Sequence, residues 1–223
     1  MESEDSITSF AEEINKRQKS LIGDYSCQTA IVVGLGGIGS WLAIDLALIG
    51  IGTLILFDDD VIEASNLNRT LFKLSQIGEL KTKAVKDLIM ERRKDILVVL
   101  CNERFTTDHL NKYRDSDYLF DCSDTSKLKD SIGECRSEFV IPKYMKLGYD
   151  GYEGTLSMND FNTGLWGEDS SYTITPSFFG TPQILSAFAV IEMVMKHKAV
   201  SKTVNMNVKR FINLLETTGA MKN

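Results

Sequence analysis

The sequence predicts an α/β fold, a doubly wound and mostly parallel sheet with an antiparallel extension toward the C-terminus. Three observations predict it. Short apolar runs at 30–33, 53–57, 96–101 and 118–120 alternate with segments of helical periodicity, the order expected of strands joined by helical crossovers. A glycine cluster, Gly34 to Gly39, directly follows the first run. An acidic run, Asp58 to Asp60, closes the second.

Each element can be justified in turn. Residues 6–22 place Ile7, Phe10, Ile14 and Leu21 at helical spacing, with charges between them. Ala30 to Val33 is apolar throughout, as a parallel strand buried on both faces must be. Ser40 to Ile49 reads as a helix, stopped by Gly50 and Gly52. Thr53 to Phe57 is the second strand. A polar stretch, Glu63 to Arg69, precedes a charged amphipathic helix at Lys81 to Lys94. Ile96 to Cys101 and Tyr118 to Phe120 are the third and fourth strands, and Lys127 to Glu138 is helical. Phe139 to Ile141, closed by Pro142, and Met145 to Leu147 near it supply at least one more strand. Gly151 to Met158 fits an edge strand or hairpin arm, and Asn159 to Pro176, rich in Gly, Asp, Ser and Thr, fits a loop. Ile184 to Met195 is an apolar helix closed by His197 and Lys198, and Asn205 to Leu215 suits strand and helix equally.

Composition narrows the function classes. Hydrophobic residues make up 43% of the 223 and charged residues 25%, the ordinary balance of a globular protein. Lys and Arg number 25 against 31 Asp and Glu, a net charge of −6. Such a chain lacks the basic excess that nucleic-acid phosphates demand. Cys27, Cys101, Cys122 and Cys135 form no C-x-x-C pair, which argues against a thiolate zinc site. The acidic, polar start does not resemble a signal peptide. No apolar run reaches the ~18 residues of a membrane span. With free thiols, these features predict a cytoplasmic protein. His109 and His197 have no partner pattern and read as surface residues. Met193, Met195 and Phe188 read as core, as do Phe178 and Phe179, unless the last two line a groove.

The glycine cluster reads Gly34-Leu35-Gly36-Gly37-Ile38-Gly39. It follows a strand and opens a helix, the context of a dinucleotide-binding loop in a Rossmann-like fold. Gly34 permits the tight turn, Gly36 and Gly37 let phosphate approach the backbone, and Gly39 lets helix pack on strand. Asp58 lies about 20 residues further on, the spacing of a carboxylate that accepts hydrogen bonds from ribose hydroxyls. Hydride-transfer enzymes share this motif, so it does not choose a reaction.

The residues after Asp58 do. They read Asp58-Asp59-Asp60-Val61-Ile62-Glu63-Ala64-Ser65-Asn66-Leu67-Asn68-Arg69, followed by Lys81 after Gly78-Glu79-Leu80 and later by Asp121-Cys122-Ser123-Asp124. With the glycine loop, this order resembles the ThiF/MoeB/HesA superfamily, which includes the ubiquitin-activating enzymes. The resemblance covers roughly residues 15–160. It implies ATP and Mg2+ as cofactors. It implies adenylation of the C-terminal carboxylate of a small ubiquitin-like or sulfur-carrier protein, or of a peptide, with release of pyrophosphate. It also implies roles for single residues. Asp58 holds the ribose, Asn66 and Arg69 contact the phosphates, Lys81 neutralises the α-phosphate and Asp124 binds the magnesium. Asn15-Lys16-Arg17-Gln18 looks like the segment whose arginine, here Arg17, reaches the partner subunit's ATP site in a homodimer. The chain is then one domain over 1–223, with a helical segment at 6–22, a nucleotide-binding core at 28–148 and a C-terminal extension at 149–223.

The residue types suit that chemistry. Attack of a carboxylate on the α-phosphorus is promoted mainly by positioning and by cations. Arg grips phosphate through its planar fork, and Lys acts as a point charge. A carboxylate at a strand's C-terminal end offers magnesium the hard oxygen ligand it prefers. Asp59, Asp60 and Glu63 read as a solvated acidic turn, with Asp60 structural. The chain departs from the family in lacking both C-x-x-C pairs and any cysteine between Asn159 and Pro176. Cys135 reads as a buried helix thiol, so the reaction is expected to stop at the acyl-adenylate. Three other functions fit the motif less completely. They are a tRNA-modifying relative that activates a carboxylate on a nucleoside, an NAD-dependent oxidoreductase, and a nucleotide-binding module without turnover.

Overall fold

A computed structural model of the chain describes residues 4–161, 176–195 and 202–210. Among the described residues seven strands form one sheet: β1 (Thr29–Val33), β2 (Thr53–Phe57), β3 (Leu97–Cys101), β4 (Tyr118–Asp121), β5 (Lys143–Asp150), β6 (Glu153–Met158) and β7 (Lys202–Asn207). Their order is β3-β2-β1-β4-β5-β6-β7. The first five run parallel, whereas β6 and β7 add on antiparallel. This is the doubly wound sheet with an antiparallel extension that the sequence predicts.

The helices are α1 (Glu4–Asn15), α2 (Gly37–Leu48), α3 (Lys81–Met90), α4 (Asp108–Lys112), α5 (Lys127–Cys135) and α6 (Gly180–Met195). Strand side chains alternate between two cores. Ala30, Val32, Leu54, Leu56 and Phe120 pack against α2, α3 and α6 on one face. Ile31, Val33, Phe57 and Leu119 pack against Leu110 of α4 and Ile132 of α5 on the other. Burial on both faces is why the strands read as unbroken apolar runs. Between β1 and β4 the winding reverses, which opens a crevice at the strands' C-terminal ends.

Several boundaries differ from expectation. The helix expected over 6–22 ends at Asn15 and continues as turns, because the Asn15 side chain is drawn into a polar contact. Arg93 Nη1 and Gln18 Nε2 both donate to Asn15 Oδ1 at 2.9 Å, and Gln18 also donates to Leu48 O at 2.8 Å. The same Arg93, wholly buried, grips Asp95 at 2.6 and 2.9 Å, and α3 stops at Met90 instead of Lys94. Residues 139–141 form no strand. Proline has no N–H for the ladder, so β5 begins after Pro142, while Phe139 and Ile141 pack on the α4–α5 core. The helix α4 lies in a stretch to which the sequence reading gave no element. Met193 is buried, but Met195 and Phe179 are exposed and Phe188 is half-buried. Asn205 to Asn207 belong to β7. Residues 211–215, His197, Lys198 and 162–175 of the expected loop lie outside the described residues. Among the described residues no helix is long and apolar enough to cross a membrane.

Candidate nucleotide-binding site

At the crevice lies a cleft of ≈ 610 Å³, bounded by the glycine loop, the ends of β2 and β3, and the turn after β4. The glycines divide by what surrounds them. Gly34 has φ +81, and a Cβ there would lie 3.0 Å from Cys122 O. At Gly39 a Cβ would lie 1.8 Å from Gly34 O, so the helix could not seat on the loop. At Gly37 it would meet the Tyr149 hydroxyl at 2.7 Å. Gly36 alone of the four has nothing within 4 Å, and it faces the cleft. It also begins α2, whose first turn has no side-chain cap and no acidic residue. Free N–H groups and the positive end of the helix dipole thus point at open space, the environment a phosphate needs.

Asp58 ends β2 beside this loop. Its Oδ2 accepts the Leu35 N–H at 2.6 Å and its Oδ1 accepts the Asp60 N–H at 2.8 Å. The carboxylate therefore fastens the glycine loop as well as facing the cleft, a second duty that the spacing did not reveal. Burial raises its pKa above the usual value, opposed by the Leu35 N–H and the Lys81 ammonium. Lys81, the first residue of α3, is nearly buried and lies 3.7 Å from Asp58 Oδ1 and 2.6 Å from Asp60 Oδ2. Asp60 is structural in a specific sense, since it holds Lys81 at the cleft wall. Asp59 pairs with Arg104 at 3.0 Å. The three aspartates, within 4.8 Å of one another, serve as counter-ions to these two cations and not as a purely solvated turn.

Asp124 stands exposed in the turn after β4 and lines the same cleft. One free carboxylate beside a phosphate-sized space fits magnesium, which usually takes one or two carboxylates together with substrate phosphates. The uncapped helix and the open Gly36 likewise fit the nucleotide. Gly34, Gly36, Asp58, Lys81 and Asp124 therefore come together. Asn66 and Arg69 do not line the cleft. Asn66 Oδ1 accepts the Glu63 N–H at 3.0 Å, which caps a short 3-10 turn. Arg69 donates to Ser65 O at 2.5 Å and to Asn68 Oδ1 at 3.0 Å, and its own carbonyl accepts the Trp41 indole N–H at 3.0 Å. Arg17 is exposed just past α1.

The far wall was missed. Arg104, Thr106, Thr107, Lys127 and Ser131 line it, from the loop after β3 and from α5. The available signal was position, because Arg104 falls three residues beyond the end of a parallel strand. His109 is not a free surface residue. Its ring packs edge-on to Phe57 with centroids 5.0 Å apart. Its Nδ1 accepts the Thr106 N–H at 3.0 Å, which leaves the proton on Nε2, 3.5 Å from Glu103. Cys122 lines the cleft, but burial and the Asp121 charge push its thiol up, so it stays protonated. Cys135 is half-buried on α5, and its thiol is also raised by burial. Neither supplies a ready thiolate.

The model of the ThiF family matches residues 13–165. Ubiquitin-like modifier-activating enzyme 5 of Caenorhabditis elegans is 40% identical over 80 residues, which cover 36% of this chain and 19% of that protein. Sulfur carrier protein ThiS adenylyltransferase of Escherichia coli (strain K12) is 33% identical over 104 residues, 46% of this chain and 41% of that one. The chain thus spans well under half the length of these curated relatives. The crystal structure of E. coli MccB with ATP superposes with a TM-score of 0.65 at 21% identity, covering 82% of this chain and 64% of that one. At that identity the likeness bears on the fold.

Proposed function

Because this chain belongs to the ThiF family, we propose that it binds ATP in the cleft and adenylates the C-terminal carboxylate of a small ubiquitin-like or sulfur-carrier protein, or of a peptide. The observation that carries this reading is the meeting of an open, uncapped helix start at Gly36 with Lys81 and Asp124 in one cleft. The cleft can then place a triphosphate between backbone N–H groups, a cation and a carboxylate.

In this reading an ionised carboxylate oxygen of the acceptor attacks the α-phosphorus. The bond from that phosphorus to the bridging oxygen breaks, and pyrophosphate leaves with the electron pair. No proton moves. Lys81 neutralises the α-phosphate as charge gathers there. To do so it exchanges Asp60 for phosphate, and the Asp60 side chain, 61% exposed, is free to turn into water. Asp58 keeps lone pairs for ribose hydroxyls beyond those that hold the loop. Asp124 would hold magnesium, which would supply neutralisation of phosphate charge when bound. Asn66 and Arg69 meet the outer phosphates once Arg69 leaves Ser65 O. The protein acts as a cytoplasmic homodimer in which Arg17 reaches the partner's site.

The test is ATP–pyrophosphate exchange with magnesium, with and without small proteins encoded near its gene. Exchange that depends on one acceptor is the expected result. Lys81→Met should lower it by roughly 10²–10³-fold, the scale of losing one group that stabilises developing charge. Asp124→Ala should abolish its magnesium dependence. ATP binding without exchange for any acceptor would leave a binding module. Exchange driven by a tRNA nucleoside carboxylate would replace the acceptor class, and binding of NAD in place of ATP would overturn the reading.

A further inference from the structure

Behind the cleft, on the face that carries α4 and α5, lies a buried polar cluster that the adenylation chemistry does not use. Lys146 on β5 is 1% exposed and Asp121 at the end of β4 is wholly buried. The Lys146 ammonium donates to Asp121 Oδ1 at 3.0 Å, to Ser123 O at 2.6 Å and to Ser123 Oγ at 3.0 Å. Asp121 in turn accepts the Tyr144 hydroxyl at 2.7 Å, the Ser123 N–H at 3.0 Å and the Ser123 hydroxyl at 2.6 Å. Burial and the Asp121 charge push the Tyr144 phenol far up, so it remains a donor.

Ser123 is therefore gripped at its nitrogen, its carbonyl oxygen and its hydroxyl, and the next residue is Asp124. The residue before it is equally confined. Cys122 N donates to Val33 O at 2.8 Å, and Cys122 O lies where a Cβ on Gly34 would have to go. Met145 and Leu147 beside it point to the opposite face and pack in the other core, so the Lys146 side chain serves the α4–α5 face alone. A buried ion pair is a poor source of net stability, and here the Lys146 ammonium lies closer to the turn, 2.6 Å from Ser123 O, than to Asp121 Oδ1, at 3.0 Å.

We propose that Lys146 is a positioning residue of the nucleotide cleft, which clamps Ser123 and so fixes where Asp124 presents its carboxylate to a bound magnesium nucleotide. The inference rests on the nucleotide-binding reading above.

The test measures binding of a fluorescent ATP analogue to the full chain, in EDTA and across a magnesium titration, with thermal unfolding in parallel. Lys146→Met should leave the Kd in EDTA within about twofold and raise the magnesium midpoint roughly tenfold, the equivalent of losing about one charge-assisted hydrogen bond. The double variant Asp121→Asn/Lys146→Met removes both charges of this pair together, so neither is left without the other. It should regain thermal stability yet keep the raised midpoint, because nothing replaces the bond to Ser123 O. A wild-type midpoint in the double variant would reduce Lys146 to a counter-ion and overturn the proposal. So would an unchanged midpoint in folded Lys146→Met. Ser123→Ala, which keeps both buried charges paired, decides the matter where neither variant folds. A roughly threefold rise is expected from the loss of part of the clamp, and no rise refutes it. Absence of nucleotide binding in the wild type would remove the functional reading and this inference together, whereas normal wild-type binding with unshifted variants would remove this inference alone.

Discussion

Two glycines three residues apart give opposite expectations. Gly39→Ala puts a methyl 1.8 Å from Gly34 O, a backbone atom that cannot yield. It should cost several kcal/mol, about 3 or more, and chemical denaturation should show it. Gly36→Ala meets nothing. Its unfolding free energy should stay within about 1 kcal/mol of the wild type, while ATP affinity measured by calorimetry falls. An ATP-binding Gly36→Ala protein would sink the assignment of that glycine to the phosphate. The placement of these glycines in the loop beside the cleft was legible in the sequence because it travels with local spacing. The placement of Asp58 and Lys81 was legible in the same way. Arg104, His109 and Lys146 were not, since each acquires its role from a strand neighbour distant in the chain. Lys146 meets Asp121 only because β5 lies beside β4, and one sequence carries no mark of that pairing.

At the scale of elements, the contact of α2 with α6 contains a titratable group. Asp45 accepts a hydrogen bond from the Ser186 hydroxyl, and burial raises its carboxyl above the ordinary range. The folded state then holds that proton more tightly than the unfolded chain does. Its stabilising contribution is fully present below the unfolded carboxylate range and is lost as pH rises through the folded value. Asp45→Asn should therefore unfold at a higher temperature than the wild type at neutral pH, with the gap closing near about pH 4. A gap that widens toward acid would contradict the direction of the shift. The turn after α1 makes a second case. Asn15→Ala strips a partner from buried Arg93, and an unpaired buried donor costs about 1–3 kcal/mol. Urea titration should register that loss. Strands were read closely from the sequence because burial on two faces gives an unbroken apolar run. Helix ends were read less well. Asn15 and Arg93 end α1 and α3 through contacts across 78 residues, and Phe139 and Ile141 are apolar because they pack on the core, not because they pair.

At the scale of the whole molecule, the order of the strands in space differs from their order in the chain. Strand β1 pairs with β2, Thr29 against Thr53, and with β4, Ala30 against Tyr118. The cleft draws on both sides of it, on Asp58 and Lys81 from one and on Asp124 from the other. During synthesis the glycine loop and its acid leave the ribosome well before the turn that completes the pocket. From Phe57 to Asp121 is 121 − 57 = 64 residues. At roughly 5–20 residues per second, that is an interval of about 3–13 s. Through it the growing chain exposes the apolar side of β1 that awaits β4. Nascent chains stalled before Asp121 should bind holdase chaperones and ignore ATP. Those stalled well beyond it should exchange the chaperone for the nucleotide.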